Sequence, residues 1–292
     1  MKKKSSLKHT GAFWAFCAPC CILFGVFFLV PLVLSIAFSF TNYDGWKTMD
    51  FVGLTNYITL FKDSKFYLSL GRTLLYTVCT LPFRVIIPLL VAVLLCSKRV
   101  AGKSLTRTMV YIPVLMSALV VGITINWMFS QEYGLVNFII RSLGGTALEW
   151  SLNPRLATFV IAFASVWASI GFNMILYIGG INSISNDLYE AATIDGASGV
   201  QAFFRITVPM LAPTTFMVVL LSTVNLLKEY ALVQGITQGG PGLSTTFIIQ
   251  YIFDKGFNQM QYGYASAIST VVMIIFALIA FAQFKVNNGG ET

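Results

Sequence analysis

The sequence is poor in charge and almost without histidine. Only 10% of its 292 residues are Asp, Glu, Lys or Arg, whereas soluble domains carry about 25%. With 57% hydrophobic residues and a mean hydropathy of +0.78, the chain cannot cover its surface with polar groups in water. Disorder is excluded as well, because disordered chains have low hydrophobicity. The remaining class is an integral membrane protein.

Side chains for catalysis and for metal binding are also scarce. The single histidine, His9, lies in a basic N-terminal segment, so no internal imidazole is available as a general base or metal ligand. All five cysteines fall in apolar stretches, and the C-x-x-C of Cys17 and Cys20 has no further ligands nearby. We therefore expect small buried apolar thiols, no metal site and no catalytic residue.

One short motif invites comparison with a nucleotide-binding loop. Gly102-Lys103-Ser104 resembles the end of a P-loop, but that pattern requires a glycine five positions before Gly102, where Ser97 stands. No predicted strand leads into the motif. We therefore expect this chain to bind no ATP, Mg²⁺ or other cofactor itself.

Six apolar stretches are long enough to cross a bilayer, whose core of about 30 Å requires about 20 helical residues. Lipid offers no partner to backbone groups, so such runs predict helices, and their lack of alternation excludes a barrel. The predicted fold class is an all-α membrane protein with six transmembrane helices. The stretches cover residues 13–40, 73–95, 109–129, 156–181, 209–233 and 264–284.

Basic residues set the orientation. Four lysines precede the first stretch, and Lys98, Arg99, Lys103 and Arg107 lie between the second and third with no acid among them. The positive-inside rule places both segments in the cytoplasm, so both termini are predicted inside. The first apolar stretch is too long for a signal peptide and is interpreted as an uncleaved helix.

This orientation predicts the organisation of the chain. It comprises a basic cytoplasmic tail (1–12), a first transmembrane helix (13–40), an extracytoplasmic loop (41–72), a five-helix core (73–284) with a cytoplasmic loop at 183–208, and a cytoplasmic tail (285–292).

The cytoplasmic loop between the fourth and fifth stretches has the features of a helix. Ser185 or Asn186 can cap its start, acids follow in the first turn, and Gly196 can adopt the left-handed conformation that ends it. A second short helix is predicted over 200–207, before Pro209. Small and apolar residues on a helix outside the membrane allow two interpretations: it rests on lipid, or it docks into a cytoplasmic partner.

The same loop resembles the EAA signature of permease subunits in binding-protein-dependent ABC importers. Glu190-Ala191-Ala192 and Gly196 match it, as does Ile206-x-Val208-Pro209, although Val208 replaces the usual leucine. Further segments resemble the sugar-transporting branch of that family. They are residues 127–134, the Gly-Gly-Pro-Gly at 239–242 with 244–246 and 251–252, and residues 262–267.

The resemblance implies a type I ABC importer permease in a bacterial plasma (inner) membrane. The expected partners are a second related permease, two cytoplasmic ATPase subunits that bind ATP and Mg²⁺, and an extracellular sugar-binding protein, with no role for nucleic acid. The expected cargo is a carbohydrate, an oligo- or disaccharide, moved by alternating access. The loop helix would be the coupling helix that seats in the ATPase, through Leu188, Tyr189, Glu190, Ala191, Ala192, Asp195 and Gly196.

Polar residues within the spans are candidates for a translocation pathway. Ser222, Asn225 and Glu229 have helical spacings of three and four, which predicts one shared face able to bind sugar hydroxyls. The alternative is that Ser222 and Asn225 join helices while Glu229 reaches outward. From the family, the fourth helix is expected to add Gly171, Asn173 and Tyr177.

Arg84 lies within the second apolar stretch, between Pro82 and Pro88. A charge near mid-bilayer faces protein or water. Two roles stay open for it: a buried cation that bonds freed carbonyls or pairs with an acid of another helix, or a residue that lines the conduit.

Other functional classes fit the sequence less well. An ion-coupled secondary transporter is the main alternative, but it predicts internal repeats and ionisable relays over several helices. A membrane scaffold or receptor would not need a polar stripe in the fifth stretch, and a membrane enzyme would need catalytic groups that the sequence lacks.

Overall fold

The computed structural model describes residues 5–46, 49–97 and 102–286, and within them nearly every ordered segment is helical. The first seven helices are α1 (Ser5–Phe24), α2 (Val30–Phe38), α3 (Thr55–Lys62), α4 (Ser64–Cys96), α5 (Lys103–Leu115), α6 (Ala118–Met128) and α7 (Leu135–Ser142). The remaining eight are α8 (Pro154–Asn182), α9 (Asn186–Ile194), α10 (Gly199–Ala202), α11 (Val208–Met210), α12 (Ala212–Leu227), α13 (Ala231–Ile236), α14 (Ile248–Phe253) and α15 (Tyr262–Val286).

The chain forms two compact units. The first comprises Met1–Ser64 and Ile252–Ile275, and the second comprises Lys65–Tyr251 and Phe276–Thr292.

In the first unit, α1 and α2 join through a π-helical turn at Gly25–Leu29 into one long apolar helix. No side chain between Trp14 and Phe38 is buried. The segment after it is held by Asn56, whose Nδ2 donates to the carbonyls of Ser39 (2.9 Å) and Thr41 (2.8 Å). An outward surface this apolar requires lipid or another apolar surface around it.

The second unit contains two hydrophobic cores. One is built from α4, α6, α8, α12 and α13 and includes Ile125, Ile161 and Leu226. The other includes Met174 and Leu211 and lies towards the C-terminal end of α8. Together they pack the helices that position the polar residues described below.

Two of the six predicted spans are broken. Within the described residues, four helices are long and apolar enough to cross a membrane: Trp14–Phe38, Ser64–Cys96, Pro154–Asn182 and Tyr262–Val286. The third predicted span, 109–129, is bent by 102° between α5 and α6. The helical segment Gly199–Met210, which contains the short helix predicted at 200–207, meets α12 at 67°, so this bend lies at the very start of the fifth predicted span, 209–233. The count is therefore four, or up to six if each bent pair is one span.

The breaks have local causes that hydropathy does not record. Before α6, Met116 and Ser117 have extended backbones, with ψ of 145° and 137°. Pro213 lies in the first turn of α12, where a proline starts a helix rather than continues one. The fifth predicted span also ends early, at Leu227, so Lys228 and Glu229 lie beyond its last helical residue.

Close packing of α6 against α13 depends on two glycines. A Cβ built on Gly235 would lie 2.9 Å from the Cα of Gly122 and 2.7 Å from the carbonyl oxygen of Leu119. Only residues without a side chain permit this approach, a device common between membrane helices.

The cysteines are free but not buried, contrary to the sequence-based expectation. Cys20, Cys21 and Cys79 are exposed, and Cys17 and Cys96 are partly exposed. The physical reason is that apolar membrane helices place apolar side chains on their outer surface as well as in the core.

Candidate pathway and coupling helix

A buried ion pair lies at the centre of the second unit. Nη2 of Arg84, in α4, is 3.8 Å from Oε2 of Glu229, in the segment between α12 and α13. The two side chains are only 7% and 10% exposed. Arg84 therefore pairs with an acid from another segment, one of the two roles left open by the sequence.

Three further polar side chains connect α4, α8 and α12 around this pair. Arg84 donates from Nη2 to Oγ of Ser165 at 2.5 Å. Asn173 donates from Nδ2 to the carbonyl of Arg84 at 2.9 Å and to Oγ of Ser222 at 3.1 Å. We call Arg84, Ser165, Asn173, Ser222 and Glu229 the central polar cluster.

The structure brings together three of the six predicted pathway residues: Asn173, Ser222 and Glu229. Asn225 is exposed, whereas Ser222 is buried, so the predicted stripe does not form a single environment. Ser222 and Asn225 lie on α12 next to different surroundings, and Glu229 lies beyond the end of that helix at Leu227.

The other two predicted residues serve packing within this chain. A Cβ on Gly171 would lie 2.7 Å from the carbonyl oxygen of Val110 and 2.8 Å from Cα of Tyr111, so the glycine permits contact between α8 and α5. Tyr177 is fully buried in the second core.

Sequence reasoning missed Ser165 and the specific partner of Arg84. Ser165 sits in an apolar helix with no spacing relation to a known motif. The Arg84–Glu229 pair joins residues far apart in the chain, and only the tertiary fold specifies it.

The central polar cluster has the donor and acceptor types that bind sugar hydroxyls: a carboxylate, an amide, two hydroxyls and a guanidinium. Its members bond mainly to one another, and Nε of Arg84 is buried without a partner among the described residues. If a sugar bound at this position, hydrogen bonds to its hydroxyls would replace the hydrogen bonds that the cluster members make to one another.

The predicted loop helix is confirmed as α9. Ser185 caps its start, with Oγ accepting from the backbone N–H of Asp187 at 3.2 Å. At its end Gly196 has φ of +75°, and its N–H donates to the Thr193 carbonyl at 3.1 Å while that of Ala197 donates to Ala192 at 2.8 Å. This pair of bonds is a Schellman motif.

α9 is anchored on one side and exposed on the other. The Tyr189 hydroxyl lies 2.9 Å from Oγ1 of Thr207, in the π-helical turn Phe203–Thr207. Tyr189 and Ala192 are partly buried. The other residues predicted to contact a partner are exposed, namely Leu188, Glu190, Ala191, Asp195 and Gly196.

Residues 53–288 match the family of binding-protein-dependent transport system inner membrane components. The chain belongs to this family. The resemblance noted from the EAA-type loop is thereby confirmed, and so is the location of this permease in the inner membrane. The match favours the ABC permease over an ion-coupled secondary transporter.

Curated relatives of this permease carry sugar-transport names. It is 32% identical over 279 residues to the arabinooligosaccharides transport system permease protein AraP of Bacillus subtilis (strain 168), covering 94% of this chain and 88% of the relative. It is 32% identical over 276 residues to the lactose transport system permease protein LacF of Rhizobium radiobacter, covering 93% and 92%.

A solved structure has the same fold. It is a bacterial alginate ABC transporter in complex with an alginate pentasaccharide-bound periplasmic protein, and it matches this permease with a TM-score of 0.85 at 23% identity. The match covers 98% of this chain and 97% of the other. The permease therefore has the type I ABC importer fold, as expected from the sequence.

Proposed function

We propose that this permease is the transmembrane subunit of an ATP-driven importer for a carbohydrate, an oligo- or disaccharide delivered by an extracellular binding protein. The observation that carries the proposal is α9, a helix that is anchored on one side and exposed on the other, in a chain of the binding-protein-dependent family. The names of AraP and LacF support a sugar as the cargo.

The proposed topology has six passes with both termini in the cytoplasm. Each bent pair then counts as one span, and the basic residues at the N-terminus and between α4 and α5 lie inside. The layout follows the sequence: a first helix at 13–40, an outer loop at 41–72, and a core at 73–284 with its cytoplasmic loop at 183–208.

The proposed pathway passes the central polar cluster. Glu229, Asn173 and Ser222 would form hydrogen bonds with sugar hydroxyls in place of their bonds to one another. Asn225, which is exposed one turn of α12 away from Ser222, would contact the sugar from the exposed side of α12. Gly171 and Tyr177 hold α8 in position rather than contact cargo.

The energy source in this proposal lies in other subunits. Two ATPases would bind ATP and Mg²⁺ and receive α9, a second related permease would complete the pathway, and the extracellular protein would supply the sugar. Closure of the ATPases would move α9, and the Tyr189–Thr207 contact would pass that motion to α11 and α12.

The test compares the purified complex with the purified chain. The complex that co-purifies with the tagged full chain is reconstituted in vesicles with an oligosaccharide-loaded binding protein. We expect ATP-dependent sugar uptake by the complex and no ATP hydrolysis by the chain alone. Uptake that survives ATP depletion but stops when ion gradients are collapsed would overturn the proposal in favour of the secondary transporter.

A further inference from the structure

An open groove runs along the second unit between α4 and α8. It has a volume of about 500 Å³, within the range of about 300–1,000 Å³ for ligand pockets. Its walls are single helix faces, because the lining residues recur every three or four positions. Leu75, Cys79 and Phe83 come from α4, and Phe159, Ala162 and Phe163 come from α8.

Each of these faces ends in an arginine at the same end of the groove. Arg72 precedes Leu75 on α4, and Arg155 precedes Phe159 on α8. Along α4, Tyr76 shares a core with Val160, Arg84 contacts Ser165, and Ala92 shares the other core with Met174. The residue numbers rise together on both helices, so the two helices run in the same direction. At about 1.5 Å per residue, Arg72 lies about 18 Å from Arg84 along α4, and Arg155 about 15 Å from Ser165 along α8.

These distances place both arginines at the edge of the hydrocarbon core. Arg84 lies near the middle of the continuous span α4, and half of a bilayer core is about 15 Å. The apolar part of the groove is then level with acyl chains, and its arginine end is level with lipid headgroups.

Neither Arg72 nor Arg155 forms an ion pair within the described part of the chain. Arg72 donates one N–H to the Leu243 carbonyl, which fixes the guanidinium beside the groove. The neighbouring Ser244 hydroxyl lines the groove and is buried without a partner in the described residues.

We propose that this groove binds one anionic phospholipid. Its phosphate lies between Arg72 and Arg155 and accepts from the Ser244 hydroxyl, and an acyl chain follows the faces of α4 and α8. Two guanidinium groups and a free hydroxyl match a phosphate diester, whereas an apolar helix in the groove would leave them unmatched. With the proposed topology, this lipid belongs to the outer leaflet.

Native mass spectrometry of the full chain, purified with its co-purifying subunits, tests this assignment with two probes: phosphatidylglycerol and phosphatidylcholine of identical acyl chains. We expect one phosphatidylglycerol retained per chain and little phosphatidylcholine. Arg155→Gln should weaken retention about fivefold and Arg72→Gln/Arg155→Gln about 30-fold, from about 1 kcal/mol for each basic residue at a membrane surface.

Two further variants distinguish specific binding in the groove from nonspecific attraction of anionic lipid to positive charge. Arg205→Gln/Lys285→Gln removes two positive charges elsewhere and should leave retention unchanged. Ala162→Phe fills the groove and should abolish retention with both arginines intact. Equal retention of the two lipids, or full retention by the Arg72/Arg155 double variant, would overturn the proposal. So would cross-linking of Cys79 to a polypeptide in a complex without bound lipid, which would assign the groove to a neighbouring helix.

Discussion

Arg84 and Glu229 form an ion pair of 3.8 Å between two side chains that are at least nine-tenths buried. Arg84 belongs to a continuous helix, whereas Glu229 belongs to an irregular segment just after α12. Removing one partner of such a pair leaves an uncompensated buried charge, which costs about 3–5 kcal/mol, while replacing both can be nearly neutral. The pair therefore fixes the irregular segment against α4.

The two single variants of this pair should differ in stability. In Arg84→Gln the remaining carboxyl can become neutral by binding a proton, but in Glu229→Gln the guanidinium stays charged. We expect the larger loss of thermal stability, up to about 3–5 kcal/mol, for Glu229→Gln. Melting of the purified chain in detergent measures it. Equal losses in the two variants would contradict the predicted asymmetry, and melting of both at the wild-type temperature would contradict the ion pair.

The double variant Arg84→Gln/Glu229→Gln separates folding from transport. It should recover most of the stability lost in Glu229→Gln, because no buried charge remains unpaired. If the central polar cluster lies on the pathway, sugar uptake per folded complex should still fall at least tenfold. Normal uptake by the double variant would show that the pair only holds helices together.

A methyl group at Gly235 should disrupt the packing of α13 on α6. The added Cβ would lie 2.9 Å from Gly122, with backbone rather than a flexible side chain in the way. Gly235→Ala is expected to cost about 1–3 kcal/mol, as overpacking does. Gly179→Ala is the matched control, since a Cβ there meets nothing within 4 Å. Equal melting temperatures for the two alanine variants would refute this packing.

Gly196 should be required for the end of α9. Its φ of +75° strains any side chain, and Gly196→Ala should destabilise the local turn by about 1 kcal/mol. We expect reduced uptake at normal membrane levels and normal melting, because the turn is exposed. Gly199→Ala, at a helix start with open space, is the control. Uptake reduced equally by both variants would argue against a specific role for this turn.

Local chemistry made α9 predictable from the sequence. Ser185 caps and Gly196 ends the helix through bonds to residues within five positions, so the pattern alone contains the information. The four continuous spans were predictable for a similar reason, since length and composition suffice.

Tertiary relations were not predictable in the same way. The bend at Ser117 occurs inside an uninterrupted apolar run, where hydropathy is unchanged by a break, whereas the bend at Leu211 lies next to Pro209, where the fifth stretch was predicted to begin. Asn225 and Ser222 have the spacing of one helix face, but their different burial depends on which helices surround α12. The partner of Arg84 came from a distant segment, so the sequence left its role open between pairing and conduit.

Cross-linking from α9 tests the central claim that ATP-driven motion enters the permease through this helix. Ala191→Cys, in a chain whose five native cysteines are alanine, is treated with a short bifunctional reagent in the purified complex and the products are identified by peptide mass spectrometry. Adducts to the ATP-hydrolysing subunit, formed together with loss of ATP-dependent uptake, are the predicted result. Labelling of position 191 only from the outside of sealed right-side-out vesicles, with no adduct to that subunit, would contradict the account.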